Sequence, residues 1–131
     1  MKFRRLKINI NEIIPQQHYL SKVKLDRVLK SFDEYDSYGD IFVIDYMGSI
    51  YSVDGHHRLF HLYNQGVREI EVVNETSDNS NMLYQKLADE ANQLGLKTIA
   101  DLCDRILESE EEYQRLWIDR CQRILRSIDN R

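Results

Sequence analysis

The chain has 131 residues, 42% of them hydrophobic and 31% charged, with a formal net charge of -4. That is enough for one folded unit with its own core, and the composition is not that of a disordered chain. No apolar run approaches the roughly 20 residues of a membrane-spanning helix, and the acidic balance argues against a general nucleic-acid binder.

The opening "MKFRRLKINI" has basic residues but no continuous apolar stretch behind them, so no secretory signal is expected. Leu6, Ile8 and Ile10 alternate with Lys7 and Asn9, the pattern of a half-buried strand. In "NEIIPQQHYLS" the only proline, Pro15, pushes Ile14 toward extended geometry and stops a helix from running through. Ser21 is placed as the N-cap of a helix over "KVKLDRVLKSF". Val23, Leu25, Val28, Leu29 and Phe32 form its apolar stripe, and Lys22, Lys24, Asp26, Arg27 and Lys30 fall outside it.

"DEYDSYGD" reads as a polar turn, "IFVIDY" as a largely buried strand, and "IYSV" as its return through "MGS" in a β-hairpin. "DGHHRLFHLYNQG" opens with a turn, becomes helical at His56 or His57 and stops at Gly66. "REIEVV" is the next strand. The pattern to this point is βαββαβ.

"NETSDNSN" is a polar linker, with no strand pattern after it. Helices are expected over 81–94 and over Glu110 to Ser127, with a near capping box of Thr98 and Asp101 between them. The last helix puts Tyr113, Leu116, Trp117, Cys121, Ile124, Leu125 and Ile128 on one broad face. Such a stripe packs on the rest of the chain, or on a second protomer or protein partner. The expected organisation is a core over 1–75 and a helical region over 76–131, packed as one unit. The fold class is α+β, a mixed sheet with helices followed by a helical C-terminal extension.

Charge is not strongly split: residues 1–75 carry a net -1 and residues 76–131 a net -3. Arg115, Arg120, Arg123, Arg126 and Arg131 gather near the end, where a helix dipole favours positive charge. Cys103 and Cys121 have neither metal-ligand spacing nor a disulfide framework. They suit a reducing cytoplasm as small apolar core residues.

The turn "SVDGHHRLF" carries the chemistry. The first amides of a helix lack internal partners, and its dipole makes that end positive. Gly55 lets the backbone approach a ligand, so an anion is welcome there. Arg58 adds a guanidinium fork for phosphate, and His56 and His57 add hydrogen bonds. Asp54 can hold Mg²⁺ against phosphate oxygens. The plainer reading makes Asp54 the N-cap, Gly55 a turn residue and the His-His-Arg run an exposed first turn. His57 and His61, four apart, could share a transition metal, but no Glu lies between them in the metalloprotease pattern and no third ligand is evident. Ser52 is not in a nucleophile elbow, and neither cysteine sits in a catalytic setting.

"INEIIPQQHYLSKVKLDRVLKSFD" and "IFVIDYMGSIYSVDGHHRLFHLYNQGVREIEVV" together resemble the ParB/sulfiredoxin superfamily, in its ParB-like N-terminal ("ParB-like nuclease") domain, over about residues 6 to 74. Gly55-His56-His57-Arg58 matches the family's Gly-x-x-Arg motif. The resemblance implies phosphate binding by this turn: of CTP in partition ParB proteins, of ATP in sulfiredoxins, of a nucleotide in archaeal free serine kinases. It also marks the departures. Sulfiredoxins have a catalytic Cys where His56 or His57 stands. Partition ParB has a Gly-Glu-Arg-Arg turn, a helix-turn-helix and a dimerisation domain, against a short acidic tail here. The serine kinases carry an acid after the early Pro, where this chain has Gln16 and Gln17, with Glu12 before Pro15. The tail resembles those of small ParB-like proteins of Firmicutes.

The expected function is therefore binding of a nucleotide (ATP, ADP or CTP), with Mg²⁺. Gly55, His56, His57 and Arg58 hold phosphates, Asp54 orients the metal, and Asp54 and His57 are the candidate catalytic pair of a phosphotransferase or NTPase. The alternative is a non-catalytic regulatory or protein-interaction module using the same pocket. A DNA-associated role, with "LGLKTIADLCDRI" opening a helix-turn-helix, is opposed by the tail's net charge of -3.

Overall fold

The computed structural model describes residues 3–34, 39–75 and 82–129. Of the polar turn expected at 33–40, residues 35–38 lie outside them and 33–34 belong instead to the first helix; of the linker expected at 74–81, residues 76–81 lie outside them. Strand β1 (Phe3–Asn9) leads through a short 3₁₀ turn (Ile10–Glu12) into β2 (Ile13–Pro15) and β3 (Leu20–Ser21). Helix α1 (Lys22–Glu34), the hairpin of β4 (Phe42–Tyr46) and β5 (Ser49–Ser52), helix α2 (His56–Asn64) and β6 (Glu69–Glu75) follow. Then come α3 (Met82–Gln93), a 3₁₀ turn (Ile99–Asp104), β7 (Ile106–Leu107), and a final helix of α4 (Glu110–Tyr113), a π segment (Gln114–Ile118) and α5 (Asp119–Asp129).

Five strands form one mixed sheet in the order β1-β6-β4-β5-β2. β1 pairs antiparallel with β6, β4 antiparallel with β5, and β6 runs parallel to β4. The segment that Pro15 holds extended does become a strand: Ile13 pairs with Ile50 and Pro15 with Ser52, in parallel. Three residues show no periodicity, so sequence alone gives only their geometry. β7 corrects the expectation of no strand after the linker: Leu20 pairs with Ile106 and Ser21 with Leu107, also in parallel. A two-residue strand exists only because its partner is brought alongside.

Helices cover both faces of the sheet. Along β4, Val43 belongs to the main core and Ile44 to a smaller cluster with Tyr51 and Ala88 of α3. Successive strand side chains point to opposite faces, and both are buried here. The main core joins Ile8, Ile13, Val43, Leu59 and Val72 to Ala91, Leu96, Ile99 and Leu102 from beyond the linker. Tyr113 and Trp117 pack with Leu87 and Ile124 in a third cluster.

The caps are local and legible. Ser21 Oγ accepts from the Lys24 amide at 3.2 Å, and Asp101 Oδ2 accepts from Thr98 N at 3.0 Å. Three expectations are corrected. Cys103 is exposed and Cys121 only partly buried, so neither is a sealed core residue. Leu29 and Leu125 are solvent-facing members of their stripes, 47% and 41% exposed. No helix among the described residues is long and apolar enough to cross a membrane.

Candidate functional site

The site is built at the junction of β5 and α2. Ser52 ends the strand fully buried, and Val53 closes it by donating to the Phe42 carbonyl at 2.9 Å. Gly55, not Asp54, is the N-cap of α2, with φ 86° and ψ 23°. The first intrahelical bond runs from Leu59 N to the Gly55 carbonyl at 2.8 Å, so the His56 and His57 amides precede the ladder.

Two facts require glycine at position 55. Its φ lies in the left-handed region, where a Cβ is strained. A Cβ there would also stand 3.0 Å from Arg58 Nη2 and 3.1 Å from Ile41 Cγ1. Arg58 thus folds back across the turn. Its Nη1 donates to the Asp40 carbonyl at 2.9 Å, and its Nη2 lies 3.5 Å from Asp54 Oδ2. Asp54 itself is exposed.

The two histidines have structural partners that spacing did not reveal. His56 is buried, and its Nε2 accepts from the backbone amides of Gln16 at 3.2 Å and Gln17 at 3.1 Å. The Ser52 hydroxyl stands 2.8 Å from the same nitrogen. A nitrogen that accepts from two amides carries no proton, so the ring is the neutral tautomer protonated on Nδ1. Burial pushes its pKa down to about 3, with neighbouring His57 adding to the effect. His57 repeats the device: its Nε2 accepts from the Ser21 amide at 2.9 Å, and burial followed by Lys24 lowers its pKa to about 4. Each imidazole replaces a carbonyl that the irregular stretch from Gln16 to Ser21 lacks. The lone pair that a general base would use is therefore engaged in both rings.

In front of the turn lies an open cleft of about 360 Å³. α1 gives it Lys24, Arg27 and Val28, α2 gives Arg58, and the C-terminal helix gives Tyr113. Lys24 and Arg27 fall outside the apolar stripe of α1, with no motif around them. The missed signal was their i, i+3 spacing, which with Val28 at i+4 puts all three on one helix face. Tyr113 could not be found from sequence. Its hydroxyl accepts from Gln17 Nε2 at 2.7 Å, Lys24 Nζ lies 4.8 Å from its ring centroid, and the His57 ring meets it edge-on at 6.0 Å. Burial raises the Tyr113 pKa to about 12, so the hydroxyl stays protonated.

Lys24, Arg27 and Arg58 face this space against the single carboxylate of Asp54. With both imidazoles neutral, the cleft is net positive in a chain of net charge -4. Gln16 and Gln17 are spent on structure: the Gln16 amide donates to the Tyr84 carbonyl and the Gln17 amide to the Tyr19 carbonyl. His57 and His61 are not brought together with a third ligand. No group of three His, Cys, Asp or Glu side chains suited to a metal occurs among the described residues.

No family model matches the chain, and no curated protein matches it. Among solved structures it is similar to protein Atu1540 from Agrobacterium tumefaciens, at 17% identity and a TM-score of 0.47, over 68% of this chain and 49% of that one. It is similar also to a Pnob8-like ParB-N domain, at 16% identity and a TM-score of 0.48, over 71% of this chain and 35% of that one. The chain thus spans about half the length of the first and about a third of the second.

Proposed function

We propose that the cleft at the start of α2 binds the phosphates of a nucleotide, as the ParB-like reading of Gly55-His56-His57-Arg58 implies. The observation that carries this is the charge of the cleft: three cations against one carboxylate, at the positive end of a nine-residue helix opened by a glycine in the left-handed conformation. Lys24, Arg27 and Arg58 neutralise the phosphates. The Gly55 turn and the first amides of α2 orient them. Asp54 would be the residue to hold a Mg²⁺, which would add to the neutralisation of the phosphates. His56 and His57 act here by shaping the turn with their rings and offering their backbone amides. With those elements in place, phosphoryl transfer or nucleotide hydrolysis needs little more than positioning and charge neutralisation.

The second reading is a nucleotide-sensing module without turnover. The engaged lone pair of His57 favours it, because Asp54 is then the one side-chain base among the cleft residues.

The test is a melting-temperature screen with ATP, ADP, CTP and GTP, with and without Mg²⁺, since a ligand of the native state stabilises by mass action. A nucleotide should raise Tm by several degrees where its nucleoside does not, and Lys24→Gln with Arg27→Gln should abolish the rise while leaving the unliganded Tm nearly unchanged. Phosphate release in the same mixtures separates enzyme from sensor. No shift with any nucleotide, or a shift indifferent to these substitutions, overturns the reading.

A further inference from the structure

A second cavity, of about 410 Å³, opens on a different part of the molecule, between α3, the C-terminal helix and the stretch before α1. Its walls divide by chemistry. Tyr19, Leu94 and Leu116 are the apolar side, and Leu94 is 49% exposed. Arg105, Arg120 and Glu90 are the charged side.

Arg105 is held in place. Its Nε donates to the His18 carbonyl at 2.6 Å, and its guanidinium lies 4.6 Å over the Tyr19 ring. These contacts use the inner edge and one face of the group. Its two terminal nitrogens have no partner among the described residues, and they form the edge that pairs with a planar carboxylate through two parallel hydrogen bonds. The other charges cancel: Arg120 Nη2 lies 2.6 Å from Glu90 Oε2. His18 is buried with Nε2 3.0 Å from the Leu87 carbonyl, and burial lowers its pKa, so it adds no charge near neutral pH. One positive charge is left uncompensated.

We propose that this cavity binds a small monocarboxylate with an apolar body. The carboxylate sits on the terminal edge of Arg105, and the body lies against Leu94, Leu116 and Tyr19. A phosphate dianion would bring two negative charges to a site with one net positive charge and the Glu90 carboxylate in its wall. An uncharged apolar molecule would leave the Arg105 edge without a partner. The volume lies at the lower end of the range for small-molecule pockets. This site is separate from the cleft at α2 and shares none of its lining residues.

The molecule carries its own reporter. Trp117 is the only tryptophan, and its ring packs 5.0 Å from that of His18 in the cavity wall. The probes are 3-phenylpropionate and hexanoate, titrated against the full chain with tryptophan fluorescence as readout. The controls are 3-phenylpropanol, hexanol and inorganic phosphate. Both carboxylates should give saturable changes at millimolar concentration or below, and the controls should not. Arg105→Gln should weaken binding roughly tenfold or more, the worth of a charge-assisted pair. Leu94→Asp tests the apolar side at a position 49% exposed, and it should abolish binding while leaving the unliganded Tm nearly unchanged. No saturable change with either carboxylate overturns the proposal. So does an equal response to the alcohols or phosphate, or unchanged affinity in Leu94→Asp.

Discussion

The side-chain amide of Gln17 donates to the hydroxyl of Tyr113 at 2.7 Å, across 96 positions of sequence. The bond ties the C-terminal helix to the segment that His56 also grips, so the rim of the cleft is assembled from both ends of the chain. The core is shared in the same way, since Ala91, Leu96, Ile99 and Leu102 fill it from beyond the linker. Residues 1–75 alone are therefore expected not to form a stable fold. Truncation after position 75 should give a collapsed or unfolded species, with poor amide dispersion in NMR spectra and no cooperative melt. A sharp cooperative transition in that fragment would contradict the shared core.

Gly55→Ala should be among the costlier single-methyl changes in the molecule. A left-handed residue with a Cβ costs about 1–2 kcal/mol. The added methyl also meets buried Ile41 at 3.1 Å, an overpacking worth roughly 1–3 kcal/mol more. Gly66→Ala is the control, since its φ is 89° but nothing lies within 4 Å of the added atom. Denaturant midpoints should rank the two, with Gly55→Ala clearly lower.

Stability should fall on acidification, starting well above the carboxylate range. His56 and His57 take up protons near pH 6.5 when unfolded but only near pH 3 and 4 when folded. Below pH 6.5 the unfolded state thus binds more protons, and the loss grows until the folded pKa values are reached. Each imidazole contributes about 1.4 kcal/mol per pH unit in that window. Glu90, whose pKa its hydrogen bond to Arg120 lowers, adds loss in the same direction only at lower pH. His57→Gln keeps an acceptor for the Ser21 amide, and it should flatten the unfolding free energy against pH between about 6.5 and 4.

The two thiols should differ in reactivity. Cys103 is exposed, whereas Cys121 is partly buried and its pKa is pushed up to about 11, chiefly by burial. The thiolate is the reacting form. An aromatic disulfide reagent should label one thiol quickly in the native protein and the second only on unfolding. Cys103→Ser should remove the fast phase, and two equal fast phases would contradict the burial of Cys121.

Much of the local structure was legible because its causes are local. The side chains of Ser21 and Asp101 each accept from a backbone amide within four residues of their own position. The hairpin turn, the stop at Gly66 and the extended geometry before Pro15 each follow from one residue's backbone freedom. The histidines were a different matter. Spacing placed His56 and His57 at a helix start, and nothing near them showed that their rings would serve Gln16, Gln17 and Ser21 instead of solvent.

Periodicity and residue type alone were enough to read the α+β class and the strand-turn-helix at "SVDGHHRLF", with its glycine three residues before an arginine. Those features rest on periodicity and backbone preference, which act over a few residues. Which side chains meet that turn follows from the packing of the assembled chain. Lys24, Arg27 and Tyr113 reach it because α1 and the C-terminal helix pack beside α2, and packing depends on contacts between residues far apart in the chain. The same packing set the protonation of both histidines, since burial is a property of the assembled core and not of a residue type.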